Sequence, residues 1–224
     1  MKIVAILGSP RGTKGNTAAL LRLTLDGAKS RGAESEIVCL RGGEILPCKG
    51  CHGCHEKGAC GQKDEFSAIK EKVLAADALV FATPNYISHV SAQLKAFLDR
   101  CCGPLHCQSF RGKYGAAVVT SGDGDEKPIA EYLNRFLAIS GAIPVGWVGF
   151  AMGNAADGEF PESVKKKAAA LGETLVDAWK GNVTAHPFQP EAAAFQNRMR
   201  TLMLRRKDEW PYEYEYWKQN YGLQ

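Results

Sequence analysis

Half of the eight cysteines in this chain fall within one segment, PCKGCHGCHEKGAC, where Cys48, Cys51, Cys54 and Cys60 follow the spacing C-x2-C-x2-C-x5-C. Thiolates are soft ligands and also redox-active groups, so metal binding, disulfide pairing, thiol switching and inert packing are all open. Structural zinc sites usually combine two CxxC pairs separated by a longer stretch. A compact run of closely spaced cysteines is nearer to iron–sulfur ligation. Gly50, Gly53, Gly58 and Gly61 let the backbone turn tightly around such a group. Two bare thiolates about 4 Å apart would repel by about 4 kcal/mol at an effective dielectric of about 20. Without a metal these cysteines therefore stay protonated or oxidise.

A second segment, GSPRGTKGNT over residues 8–17, has the chemistry of an anion cradle. Its glycines match neither the dinucleotide GxGxxG pattern nor the GxxxxGK[ST] triphosphate loop. It places Ser9, Thr13, Asn16 and Thr17 just before an expected helix, whose dipole favours an anion by about 0.3–1 kcal/mol. Arg11 adds a charged fork. One phosphate suits this set. The competing reading is simple N-capping by Asn16 or Thr17. A third loop, TSGDGDE over 120–126, offers Ser121 and Gly122; it is either a ligand neighbour or an ordinary turn before a helix.

These loops need a scaffold. Apolar runs at 2–7, 36–40, 78–84, 114–121 and 143–150 read as strands buried on both faces. Between and after them lie helical stripes: Ala18, Leu21, Leu25 and Ala28; Phe66, Ile69 and Val73; Val90, Leu94, Phe97 and Leu98; Ile129, Leu133, Phe136 and Leu137; and Val164, Ala168, Leu171 and Leu175. Five strands alternating with five amphipathic helices predict an α/β doubly wound parallel sheet. In such sheets ligands bind beyond the carboxyl ends of the strands, where all three loops fall. HPFQP at 186–190 reads as a linker, which divides the chain into a domain over 1–187 and an extension over 188–224. The extension holds a basic helix near 191–207 and an aromatic tail. Trp210, Tyr214, Trp217 and Tyr221 recur at helical spacing, while Tyr212, Tyr214 and Tyr216 alternate as in a strand. Aromatic residues at this density predict packing against protein, with a neighbouring subunit favoured over the chain's own core.

Composition is that of an ordinary globular protein: 224 residues, 45% hydrophobic, 23% charged, net charge +4. Nothing predicts nucleic-acid or membrane partners. The opening MKIVAIL reads as a strand rather than a signal peptide. A cytoplasmic location is expected, where disulfides are rare.

The segment TPNYISHVSAQLKAFLDR (83–100) carries a family resemblance. With the GSxR…GNT loop at Gly8, Ser9, Arg11, Gly15, Asn16 and Thr17, its Thr83, Pro84, Tyr86, Ser91, Leu94, Lys95, Phe97, Asp99 and Arg100 resemble the NADPH-dependent FMN reductase group of the flavodoxin-like fold over about residues 1–180. The resemblance implies a five-stranded sheet of order 2-1-3-4-5 and an FMN cofactor. It implies that Ser9, Arg11, Asn16 and Thr17 hold the phosphate, and that the backbone at Pro84, Asn85, Tyr86 and Ile87 holds the ring edge. Asp99 and Arg100 are expected to be structural.

The cysteine loop after the second strand resembles that of the iron–sulfur flavoproteins, which bind a 4Fe-4S cluster through such a motif. The implied activity is an oxidoreductase that couples FMN to a cluster, with NAD(P)H or ferredoxin as donor and a small molecule or protein as acceptor. A homodimer or homotetramer is expected. The alternatives are a cluster-free NAD(P)H-dependent FMN or quinone reductase, and a zinc- or thiol-based redox sensor or carrier without turnover. His52 and His55 are expected to face solvent; Cys39, Cys101, Cys102 and Cys107 are expected to pack as small hydrophobes.

Overall fold

A computed structural model describes all 224 residues. Strands β1 (Lys2–Leu7), β2 (Glu34–Cys39), β3 (Ala78–Pro84), β4 (Tyr114–Ser121) and β5 (Ile143–Ala151) form one parallel sheet in the order β2-β1-β3-β4-β5. Leu7 pairs with Cys39 on one side and with Ala82 on the other, and Ser121 pairs with Ala151. The carboxyl ends are therefore aligned, and their loops share one edge of the sheet. The architecture is the flavodoxin-like one expected.

Side chains alternate across the sheet. Ile3, Ala5 and Leu7 enter a core with α1 (Asn16–Ser30) and α7 (Glu162–Lys180). Val4 and Ile6 enter the opposite core with α3 (Phe66–Ala75), α4 (Ala92–Arg100) and α6 (Glu126–Ile139). Helices α1 and α7 touch backbone to backbone: a Cβ on Gly172 would lie 1.8 Å from the carbonyl oxygen of Thr24, so only glycine fits there.

Two short helices were not expected, α2 (Gly53–Lys57) inside the cysteine loop and α5 (Cys102–His106) after α4. The extension forms α8 (Gln189–Arg206), which begins inside the expected linker, and α9 (Pro211–Tyr221), with Pro211 in its first turn. Helix α8 runs along α6, and α9 returns over α2 and bonds to His106 of α5. Phe195, Met199, Met203, Trp217 and Leu223 make a third buried cluster against Leu105 and Ile139. The Trp217 indole N–H donates to the His106 carbonyl at 2.9 Å. Tyr212 lies against Gly58, whose φ of +71° and absent Cβ make room for the ring. The tail is thus helical and packs on its own chain, correcting the expectation that favoured a neighbouring subunit. The turn between α8 and α9 aims the aromatic face back at the cysteine loop.

Candidate functional site

A cleft of about 290 Å³ opens at the ends of β1, β3, β4 and β5. Nine of the ten residues expected to bind a flavin line it: Ser9, Arg11, Asn16, Thr17, Pro84, Asn85, Tyr86, Ser121 and Gly122. Ile87 does not. Its side chain is 99% exposed and its φ is +52°, unusual for a β-branched residue. Met152, Gly153 and Asp157, from the loop after β5, complete the cleft and were not anticipated.

The capping alternative does not occur. Gly15 is the N-cap of α1 and offers no side-chain bond, so the first N–H groups of the helix lack a side-chain acceptor. Asn16 instead donates to Asp157 at 2.9 Å and accepts from the Gly158 N–H at 2.7 Å, and the hydroxyls of Thr17 and Thr120 meet at 2.6 Å. Arg11 reaches Asp157 at 3.5 Å. The Asp157 carboxylate therefore occupies donors that a phosphate would use. Deeper in the cleft, Asn85 donates its side-chain N–H to the Gly124 carbonyl at 3.0 Å, while its buried Oδ1 has no partner. That orphan acceptor suits a ligand N–H. The backbone N–H groups of Asn85 and Tyr86 are engaged by Thr120 and His89. Since proline has none, Ile87 is the residue of this expected quartet with a free N–H to offer a ring carbonyl.

On the β2 side, a second cavity of about 310 Å³ is lined by Cys48, Cys51, Cys54 and Cys60 together. All are free thiols. The loop is clamped at its base by Arg100, which is 3% exposed. Its guanidinium donates to Asp64 at 2.7 and 3.2 Å and to the Leu46 carbonyl at 3.0 Å. Arg100 is structural as expected, although its partner is Asp64 in the loop; Asp99 pairs with Lys95. The Gly50 N–H points at Cys48 Sγ at 3.4 Å. No three loop thiols belong to a group of donor atoms lying within 4.8 Å of one another. One tetrahedral zinc with Zn–S bonds of about 2.3 Å would need sulfurs about 3.8 Å apart. A cubane gives each cysteine its own iron, so spread thiols around one cavity suit it better.

Beside this cavity lies a group that sequence reasoning missed. His55 is 6% exposed rather than solvent-facing, and Glu213 is fully buried. Glu213 accepts from His55 Nδ1 at 2.7 Å and from His106 Nδ1 at 3.0 Å. The Nε2 atoms of the two rings lie 3.9 and 3.8 Å from Cys102 Sγ. Trp210 stacks on His55 with centroids 4.4 Å apart. Burial disfavours the Cys102 thiolate, but hydrogen bonds from His106 and His55 outweigh it and bring the thiol down to about 6. Burial likewise opposes the charged imidazole of His106, yet Cys102 and Glu213 push it up to about 9. Cys102 is therefore not a packing residue, whereas Cys101 and Cys107 are buried as expected. Residues His55 and Glu213 are 158 positions apart, and no local pattern links them.

The model of the family described as NADPH-dependent FMN reductase matches residues 1–157, which include β1 to β5 and both cavities' loops. The chain belongs to that family. It is 35% identical over 221 residues to an iron-sulfur flavoprotein of Archaeoglobus fulgidus, covering 98% of each chain. It is 38% identical over 152 residues to an iron-sulfur flavoprotein of Methanosarcina thermophila, covering 65% of this chain and 78% of the relative. A solved flavodoxin from the domain Archaea superposes with a TM-score of 0.53 at 15% identity, covering 80% of this chain and 99% of the other, and supports the fold. As a family member, the protein is a flavin-dependent oxidoreductase with FMN as its cofactor. No helix is long and apolar enough to cross a membrane.

Proposed function

We propose that this oxidoreductase couples FMN in the cleft to a 4Fe-4S cluster ligated by Cys48, Cys51, Cys54 and Cys60, as a cytoplasmic redox protein supplied by NAD(P)H or ferredoxin. FMN exchanges one or two electrons and a cluster exchanges one, so the pair links a hydride donor to single-electron carriers. The observation that carries the reading is the arrangement of the loop thiols: all four line one cavity, yet no three are close enough to share one ion. The named character of the relatives supports it.

The chain's own residues have separable tasks. Arg11, Ser9, Asn16 and Thr17, with the free N–H groups of α1, would hold the phosphate, which would compete with the Asp157 carboxylate for Arg11 and Asn16. Asn85 Oδ1 would accept from a ring N–H, the Ile87 N–H at the rim would be free for a ring carbonyl, and Tyr86, Ser121 and Gly122 wall the cleft. The Arg100–Asp64 clamp holds the cysteine loop at its base, and α9 covers its α2 side.

The two cavities lie near opposite ends of α4. Its N-cap Ser91 bonds to the Gly8 carbonyl of the flavin loop, and its last residue, Arg100, holds the cysteine loop. Nine residues at about 1.5 Å each span about 13 Å. Electron transfer falls steeply with distance, so we place the cluster of one protomer near the flavin of another in a closed homodimer or homotetramer. The exposed Ile87 and half-exposed Tyr86 at the cleft rim supply an apolar contact for it. We treat residues 1–187 as the redox unit and 188–224 as its shield.

The test is anaerobic reconstitution followed by assays for iron, acid-labile sulfide and FMN, with Cys51→Ala alongside. The reading expects iron and sulfide in the natural protein and loss of most iron, with FMN retained, in the variant. FMN-loaded protein that holds no iron would leave the cluster-free reductase instead.

A further inference from the structure

The sequence between Cys54 and Cys60 and the C-terminal tail meet at a point that the cluster does not need. His55 from α2, Cys102 and His106 from α5 bring three donor atoms within 4.8 Å of one another. Glu213 from α9 holds both rings from behind. A carboxylate can only accept, so each Nδ1 carries a proton towards Glu213, and each Nε2 faces Cys102 Sγ. Two ring nitrogens and one sulfur, each a metal-ligand atom type, therefore converge on one point.

We propose that His55, Cys102 and His106 form a mononuclear site for a zinc-class divalent cation, with a ligand set distinct from the four loop cysteines and Glu213 as the positioning residue for both histidines. The dimensions fit. Zn–N bonds of about 2.0–2.1 Å and a Zn–S bond of about 2.3 Å at a tetrahedral angle place N and S about 3.6 Å apart. The observed separations are 3.8 and 3.9 Å, so a contraction of a few tenths of an ångström closes the site. A carboxylate behind a ligating histidine is the usual device for fixing ring tautomer and direction, and here one buried carboxylate serves two rings. Two imidazoles and one thiolate are the donor types zinc selects. His55 and Cys102 border the cysteine cavity, which leaves space for water as a fourth ligand. Binding the ion releases to solvent the protons that the two Nε2 atoms and Cys102 Sγ share. The ion ties α2 and α5 to each other and, through Glu213, to α9.

The experiment uses anaerobically reconstituted full-length protein, FMN-loaded, with zinc as the probe. Zinc and iron are counted per chain, and zinc K-edge absorption reads the ligands. One zinc per chain in a shell of two nitrogens and one sulfur plus a light atom is expected. Cys102→Ser and His106→Gln should lose the zinc and keep the iron. Glu213→Gln should weaken zinc affinity about 10–100-fold, with its far-ultraviolet dichroism unchanged. Cys51→Ala should lose iron and keep zinc. A zinc shell of four sulfurs, or zinc that survives Cys102→Ser but vanishes with Cys51→Ala, would place the ion in the loop and overturn the proposal. Iron-loaded protein that takes up no zinc would also overturn it. Protein that holds zinc but no iron would keep this site and defeat the cluster reading, so the two failures are distinct.

Discussion

Removing the Asp64 carboxylate tests how the cysteine loop is held. Arg100 has 1% of its side chain exposed and Asp64 has 5%. The carboxylate accepts two bonds from Arg100, one from the Leu46 N–H at 2.9 Å and one from the Phe66 N–H at 3.1 Å. The guanidinium also sits 4.6 Å from the Phe66 ring centre. Asp64→Ala leaves a buried guanidinium without its counter-charge, which costs about 3–5 kcal/mol. For a chain of this size that is a fall in Tm of about 6–20 °C, read by thermal unfolding with FMN in excess. Replacing both partners, Asp64→Leu with Arg100→Met, should recover more than half of the loss, because no stranded charge remains.

The same pair sets an acid limb. Burial works against the Asp64 carboxylate, but the Arg100 bond and the Leu46 and Phe66 N–H groups outweigh it and hold the carboxyl below its usual range. The unfolded chain therefore binds the proton first as pH falls through about 4. The contribution is complete above about pH 5 and disappears as pH drops through the lowered native value. Asp64→Asn should flatten stability against pH in that interval. A single Asp64→Ala variant that loses under 1 kcal/mol, or a double variant no better than the single, would refute the claim that an ion pair clamps the loop.

Three further outcomes are expected. Arg11→Ala should weaken FMN binding by about 1.5 kcal/mol, roughly tenfold in Kd, whereas Asp157→Asn should tighten it by removing the competing carboxylate; flavin fluorescence titration reads both. Deleting residues 208–224 should lower the Tm and leave FMN affinity unchanged, since Trp217 closes a core separate from the cleft; equal melting of truncated and full-length protein would show the tail dispensable. Gly172→Ala should destabilise by about 1–3 kcal/mol in denaturant unfolding, because the new Cβ meets the Thr24 carbonyl at 1.8 Å.

The sheet was legible because burial on both faces leaves a continuous apolar run with sharp ends. The interior strand at 114–121 has the bounds the sequence predicts, and all eight residues are buried. The edge strand was misplaced by a residue or two: Glu34 and Ser35 are polar and exposed, yet they pair with Lys2 and Ile3. That the loops at 8–17, 83–87 and 120–126 meet in one cleft was legible because each directly follows a strand of the sheet. The loop after β5 was not, since Asp157 reaches Arg11 and Asn16 only through the fold. The histidine group left no trace at all. His55 reads as a loop residue until α9 lays Glu213 and Trp210 against it.

That last point bears on why the extension exists. A loop with glycines at 50, 53, 58 and 61 loses much conformational entropy on ordering, so it gains from restraints outside itself. The sheet supplies one restraint, the Arg100–Asp64 clamp at the base. The far side of the loop has no strand or long helix of the α/β core beside it. Helix α9 fills that place: Tyr212 lies on Gly58, Glu213 binds His55, and Trp210 stacks on the same ring. In turn, α9 is fixed by Trp217 bonding to His106 and packing against α8. The loop is thus gripped between the core at one end and the C-terminal helix at the other. Disturbing the tail should reach the cysteine cavity well before it reaches the flavin cleft.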